Sequence, residues 1–291
     1  MSYLKTQFTI ILPTTGNRGR LLPYSLGSIQ NQTRQDFEIF IIGDGVAKES
    51  KLIIEKLREQ DSRIHFFDHP KHERRGEVYR HQALQKARGN YICYICDRDL
   101  WMPDHLETMN TILTDFNFAS TTFINVREAQ PIVTGQHIGY YGKATESNHP
   151  NKAGISLSNA AHTKDLYNIV PYGWRTTPKG IPTDIYMWTQ FLDHEKCNAF
   201  SHTKPTVLYF KRGHFPGIPV HQRVTELKKW SEKIQSKESA DLIREEAQKV
   251  LLLEWRKLKI LSKSPLLIKG RRLSELPSAI LQKVSNRLKK P

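Results

Sequence analysis

Over the first hundred residues, short apolar runs alternate with stretches of helical periodicity. Phe8–Leu12, Phe37–Ile42, Arg63–Phe67 and Tyr91–Cys96 are continuous in hydrophobicity rather than alternating, the pattern of strands buried on both faces of a parallel sheet. Between them, Leu21, Leu22, Leu26 and Ile29 repeat at helical spacing, as do Leu52, Ile53 and Leu57 in a helix expected over Glu49–Gln60. Glu77–Ala87 reads as a further helix closed by Gly89. Four β-α units in succession predict an α/β domain with helices on both sides of a mainly parallel sheet.

Beyond a helix expected at Pro103–Phe116 the pattern changes. Ser120–Val126, Ile138–Tyr141 and Val207–Phe210 read as strands. Asn159–Ile169 and Asp184–His194 read as helices, and Asn148–Gly154 as a connector. Val224–Leu261 is helical and basic, and a short helix is expected over Ser274–Leu288. The division predicted is a catalytic-type domain over 1–220 and a helical extension over 221–291.

Composition adds three constraints. The formal charge of +15 is concentrated late: residues 221–291 carry 18 Lys and Arg against 8 Asp and Glu, a net +10. Such a region suits an anionic membrane surface, an acidic polymer or nucleic acid, or is simply a solvated helical surface. The three cysteines, Cys93, Cys96 and Cys197, supply no disulfide framework and are expected as small buried hydrophobes. No apolar run approaches the ~18–20 residues that span a bilayer, and no secretory pattern opens the chain, so a cytoplasmic protein is expected. Neither G-x-G-x-x-G nor a P-loop occurs.

Candidate chemistry concentrates where the Tyr91 run stops, at Asp97-Arg98-Asp99. On an extended chain residues i and i+2 project to one side, so the two carboxylates are expected to converge while Arg98 points elsewhere. Mg²⁺ or Mn²⁺ suits such a pair, since hard cations take oxygen ligands and Mg²⁺ is held by one or two carboxylates with substrate phosphates. The carboxyl ends of strands are also where open α/β sheets bind ligands.

FTIILPTTGNRGRLLPYSLGSIQNQTRQDFEIFIIGDG, followed by YRHQALQKARGNYICYICDRDLWMPDHLE, resembles the nucleotide-sugar half of a family 2 glycosyltransferase of the GT-A fold. The likeness is close over about 8–116, present though weaker over 159–210 in the acceptor half (117–220), and slight in the last 70 residues. It implies an inverting transfer of one sugar from a nucleoside-diphosphate sugar to a glycan or lipid-linked acceptor in cell-surface polysaccharide synthesis. Thr14 would line the nucleotide pocket and Asp44 would bind the base; relatives often carry two Asp where this chain has Gly43-Asp44. Arg74 or Arg75 would meet base or phosphates. Asp97 would contact the ribose or the cation's shell, and Asp99 would ligate Mn²⁺ or Mg²⁺. Asp184, in PTDIYMW, is the candidate general base, or else an ordinary helix-opening Asp. His214 is a candidate further ligand on a loop. Trp174 and Arg175 are a candidate acceptor platform, with core packing of Trp174 as the alternative. The Q-x-x-R-W motif of processive synthases is missing, which favours single transfers.

Two other readings compete. Residues 223–291 are expected to dock the protein on an anionic membrane, unless they pack on the catalytic domain. A nucleic-acid-binding protein using the basic tail would leave the ordered Asp landmarks without a purpose, and against a sugar-nucleotide-binding relative with a decayed site stands the presence of Asp97, Asp99 and Asp184.

Overall fold

The computed structural model describes residues 5–126, 155–210, 218–263, 267–268 and 271–272. In chain order the elements are β1 (Phe8–Gly16), α1 (Leu22–Gln30, entered through a 3₁₀ turn at Arg18–Leu21), β2 (Phe37–Val46), α2 (Lys48–Gln60), β3 (Ile64–His69), α3 (Glu77–Leu84) and β4 (Tyr91–Tyr94). They continue with β5 (Leu100–Trp101), α4 (His105–Asp115), β6 (Phe118–Asn125), β7 (Ala160–Thr163), α5 (Lys164–Ile169), α6 (Thr183–Leu192) and β8 (Ala199–Tyr209). Two helices follow, α7 (Val220–Lys233) and α8 (Lys237–Lys263), and then the short pair β9 (Leu267–Ile268) and β10 (Arg271–Arg272).

The large sheet has the order β3-β2-β1-β4-β7-β6-β8-β5. Its first four strands run parallel, as the continuous apolar runs require. Phe8, Ile10 and Leu12 enter one core with α1, α2 and α4, while Ile11 joins Phe40 and Ile42 in the core on the opposite face. β7 is antiparallel to both β4 and β6, and β8 is parallel to β6 and antiparallel to β5, so the sheet is mixed beyond β4.

Several elements differ from expectation. Asn159–Ile169 is not one helix. Ala160–Thr163 forms β7 in the gap between β4 and β6, and the helix begins only at Lys164, where the Thr163 hydroxyl accepts the Leu166 N–H. Sheet pairing there overrides the helix-forming tendency of Ala-Ala. On α2, Leu52 is exposed and Ile54 is the fully buried residue. The last strand begins eight residues earlier than Val207, with Pro205 at a register shift, the kind of place where a strand tolerates proline. Ile138–Tyr141, Asn148–Gly154 and Ser274–Leu288 lie outside the described residues.

The basic extension is built onto the sheet from its start. Leu227, Trp230, Ile234, Ala240, Ile243 and Ala247 pack with Leu21, Leu100, Met102, Ile124, Leu208 and Phe210 in a third core. Arg244 donates to Asp104 and to the Pro205 carbonyl, and Lys204 completes the ion pairing of Asp104. Farther along α8, Leu252 and Leu253 are exposed.

Candidate active site

β1, β2 and β4 end on the same edge of the sheet, and the order 3-2-1-4 reverses direction between β1 and β4, where a crevice is expected. Asp44, at the end of β2, is buried. Its Oδ1 accepts the His72 N–H (2.6 Å) and its Oδ2 the Lys71 ammonium (2.5 Å). The loop carrying those partners can lie this close because of two glycines in the left-handed region, Gly45 (φ 66°) and Gly76 (φ 64°). A Cβ on Gly45 would fall 2.6 Å from the Lys71 Cβ, and one on Gly76 3.0 Å from the Asp44 Cβ.

Asp97 and Asp99 are not on an extended strand. Pairing of β4 stops at Tyr94, and the chain then turns, with the Asp99 N–H bonded to the Cys96 carbonyl (3.1 Å). The shared-face expectation fails for that reason. Asp97 turns towards β1, accepting from Thr14 Oγ1 (3.0 Å) and from Arg18 at 3.3–3.4 Å. Asp99, wholly buried, turns towards the end of β8, where it accepts the Phe210 N–H (3.0 Å) and the Ser158 hydroxyl. Ser158 in turn accepts the Cys96 N–H (3.0 Å). Arg98 does not point away: its Nε donates to the Phe210 carbonyl (3.1 Å). Burial raises the pKa of Asp99.

Asp184 sits in the first turn of α6, and its Oδ1 accepts the Ile185 N–H (3.2 Å). Burial raises its pKa, against the pull of Arg80 and Arg75. The charges of Asp99 and Asp184 both act on Tyr209, the last residue of β8, whose pKa is raised chiefly by burial. Around them are residues the sequence pattern did not single out. Glu77 is fully buried and accepts the Arg75 N–H (3.0 Å) and the Thr183 hydroxyl (3.3 Å), which ties α3 to the start of α6. Arg80 is buried over the Trp174 ring, 4.7 Å from its centroid, and donates to the Arg75 carbonyl. Glu77 opens α3 and Arg80 lies one turn on, and both are buried as charged groups are when partnered.

The remaining candidates separate. Arg74 is committed to the Thr177 and Pro178 carbonyls (3.0 and 3.1 Å), whereas Arg75 is exposed and its charge reaches Asp184. Trp174 is a core residue: it is buried, its indole N–H donates to Tyr94 Oη (3.0 Å) and its ring meets Trp188 edge-on. It is therefore no platform. Arg175 is exposed, held between the rings of Tyr172 and Tyr186 and bonded to the Tyr186 hydroxyl. Cys93 is buried, while Cys96 and Cys197 are only partly so. His214 lies outside the described residues.

Among the described residues no three His, Cys, Asp or Glu side chains gather as a metal cluster. The chemistry of the pair still fits a cation completed by substrate: two carboxylates are the usual protein share for Mg²⁺, and an oxygen that has accepted one hydrogen bond keeps a second lone pair.

Residues 9–160 match glycosyl transferase family 2. The chain belongs to that family. Among curated relatives, 103 residues are 28% identical to the GalNAc(5)-diNAcBac-PP-undecaprenol beta-1,3-glucosyltransferase of Campylobacter jejuni, covering 35% of this chain and 33% of the relative. Over 107 residues the chain is 33% identical to the putative glycosyltransferase EpsH of Bacillus subtilis, covering 36% and 30% respectively. The match thus spans about a third of these relatives. Similar solved structures include S. aureus TarS 1-349 in complex with UDP-GlcNAc (TM-score 0.56, 14% identity, 89% of this chain and 76% of that one). Another is the mannosyltransferase PcManGT of Pyrobaculum calidifontis in complex with GDP-Man and Mn²⁺ (TM-score 0.51, 15% identity, 97% and 80%). These likenesses establish the GT-A fold. Among the described residues no helix is long and apolar enough to cross a membrane.

Proposed function

We propose that this chain is an inverting glycosyltransferase that moves one sugar from a nucleoside-diphosphate sugar to a hydroxyl of a glycan or lipid-linked acceptor in cell-surface polysaccharide synthesis. The observation that carries the reading is the gathering of side chains from distant parts of the sequence at one sheet edge. Thr14 and Asp44 lie near the ends of the paired strands β1 and β2, Asp97 accepts a hydrogen bond from Thr14, and Asp99 follows in the same turn. The sugar-nucleotide complexes of two structural neighbours and the polyprenol-linked substrate named for the C. jejuni relative support the substrate classes.

In this reading Asp44, with Lys71 and His72 against it, contacts the base, and Arg75 reaches towards the substrate from the same loop. Asp184 holds the proton that the acceptor hydroxyl loses as it attacks the anomeric carbon; its raised pKa brings a carboxylate nearer the working pH of a general base. Mn²⁺ or Mg²⁺ would be held by Asp97 and Asp99 together with the diphosphate oxygens. When bound, the cation supplies Lewis-acid stabilisation of the leaving diphosphate.

Asp184→Asn tests the assignment. With Mn²⁺ present, turnover is expected to fall about 10²–10⁴-fold, the usual contribution of a positioned general base. Nucleoside-diphosphate binding, measured by calorimetry, is expected to stay at the wild-type level. EDTA is expected to abolish transfer by the wild type. An active Asp184→Asn protein would move the base elsewhere.

A further inference from the structure

Arginines from three parts of the chain bear on the surroundings of Asp97. Arg18 opens the 3₁₀ turn after β1 and approaches Asp97 only at 3.3–3.4 Å, through a single guanidinium nitrogen. Arg98 lies in the turn itself, with Nε on the Phe210 carbonyl. Arg223 comes from α7, in the C-terminal extension. Leu227 is four residues later and so shares its helix face; Leu227 packs in the same core as Leu21, the last residue of the Arg18 turn. That packing sets the Arg223 face of α7 against the turn. Its surroundings agree: burial, and then the charges of Arg98 and Arg18, work against its proton, with Asp97 and Glu226 as the opposing charges.

The Arg223 backbone N–H donates to the Pro219 carbonyl (3.3 Å), while among the described residues its guanidinium forms no hydrogen bond or ion pair. A half-buried guanidinium with five N–H groups and two like charges close by is costly unless an anion joins the group. Asp97 is shared with Thr14, and each Asp99 oxygen already accepts one hydrogen bond, from Ser158 or from the Phe210 N–H. The site thus offers planar, permanently charged N–H forks and few acceptors for them, a combination suited to phosphate oxygens.

We propose that Arg18, Arg98 and Arg223 form a cradle for the diphosphate of the sugar donor, so that α7 of the C-terminal extension is part of the active site. The proposal rests on the reading that this chain uses a nucleoside-diphosphate donor. The cradle neutralises the leaving diphosphate alongside the carboxylates, in addition to any cation they hold.

The test is binding rather than turnover. UDP, GDP and dTDP are titrated calorimetrically into the full chain, and the tightest is carried forward with its parent nucleoside, in EDTA and again in Mn²⁺. Arg223→Ala is expected to weaken the diphosphate about tenfold or more, the scale of a hydrogen bond to a charged group, while leaving nucleoside binding unchanged and the melting temperature of the free protein no lower than wild type. Arg223→Lys is expected to recover part of the loss. Wild-type affinity for the diphosphate in Arg223→Ala would overturn the cradle, as would an equal loss for diphosphate and nucleoside. If the wild type binds none of the three diphosphates in either condition, the donor reading itself falls and the cradle falls with it.

Discussion

Asp184 and Arg80 show how much one buried charge does for another. Arg80 is buried beneath the start of α6, stacked over Trp174, and it favours the ionised form of Asp184 while burial opposes it. Removing that cation takes away one of the influences that oppose burial, leaving the backbone N–H bonds and Arg75, so the carboxyl pKa rises further. Arg80→Met is therefore expected to shift the acidic limb of the kcat profile to higher pH, with less activity below neutrality and recovery above it; a profile superimposable on wild type would remove Arg80 from this role. The four Asp residues were legible in the sequence because each follows an apolar run or opens a helix. Their partners were not. Thr14 and Asp97 are 83 positions apart, Ser158 and Asp99 59 positions apart, and nothing local in Arg18 or Ser158 reveals what it will touch. For Trp174 the sequence left two readings open, a binding surface or core packing, and its indole bonded to Tyr94 in the core decides for the second.

Among the elements, the first four β-α units were legible because a buried parallel strand has a pattern of its own. β7 was missed because four residues, Ala160–Thr163, are too few to show a period, and their strand state comes from the two neighbours that sandwich them. Asp97–Asp99 was misjudged for a related reason: hydrophobicity continues through Ile95 and Cys96 after strand pairing has ended. The loop over Asp44 depends on backbone shape rather than pattern. Gly45→Ala would put a Cβ 2.6 Å from that of Lys71 at a φ of 66°. It is expected to lower stability by about 1–3 kcal/mol, the range for such strained positions, in urea denaturation, and to weaken nucleotide binding because Lys71 and His72 shift from Asp44.

At the scale of the whole molecule, His105 and His162 are buried, and burial pushes their pKa values down to about 3 and about 4. Between pH 6.5 and about 4 the unfolded chain takes up protons that the folded chain does not, so stability is present at neutral pH and falls as pH falls. The slope approaches about 2.7 kcal/mol per pH unit for two such groups well below pH 6.5. Guanidinium melts at pH 7.5 and 5.5 are expected to show the lower midpoint at 5.5. The extension belongs to this cooperative unit, because Trp230 and Ile243 fill a core with Leu100 and Leu208, and Arg244 pairs with Asp104. The peptide group of Phe210 carries one further consequence. Its N–H is held by Asp99 and its carbonyl by Arg98, so two consecutive side chains supply what a neighbouring strand would otherwise give the end of β8. The dipeptide acts as a surrogate strand with a fixed polarity, acceptor second and cation first. Exchanging the two residues would keep composition and net charge while setting cation against N–H and carboxylate against carbonyl.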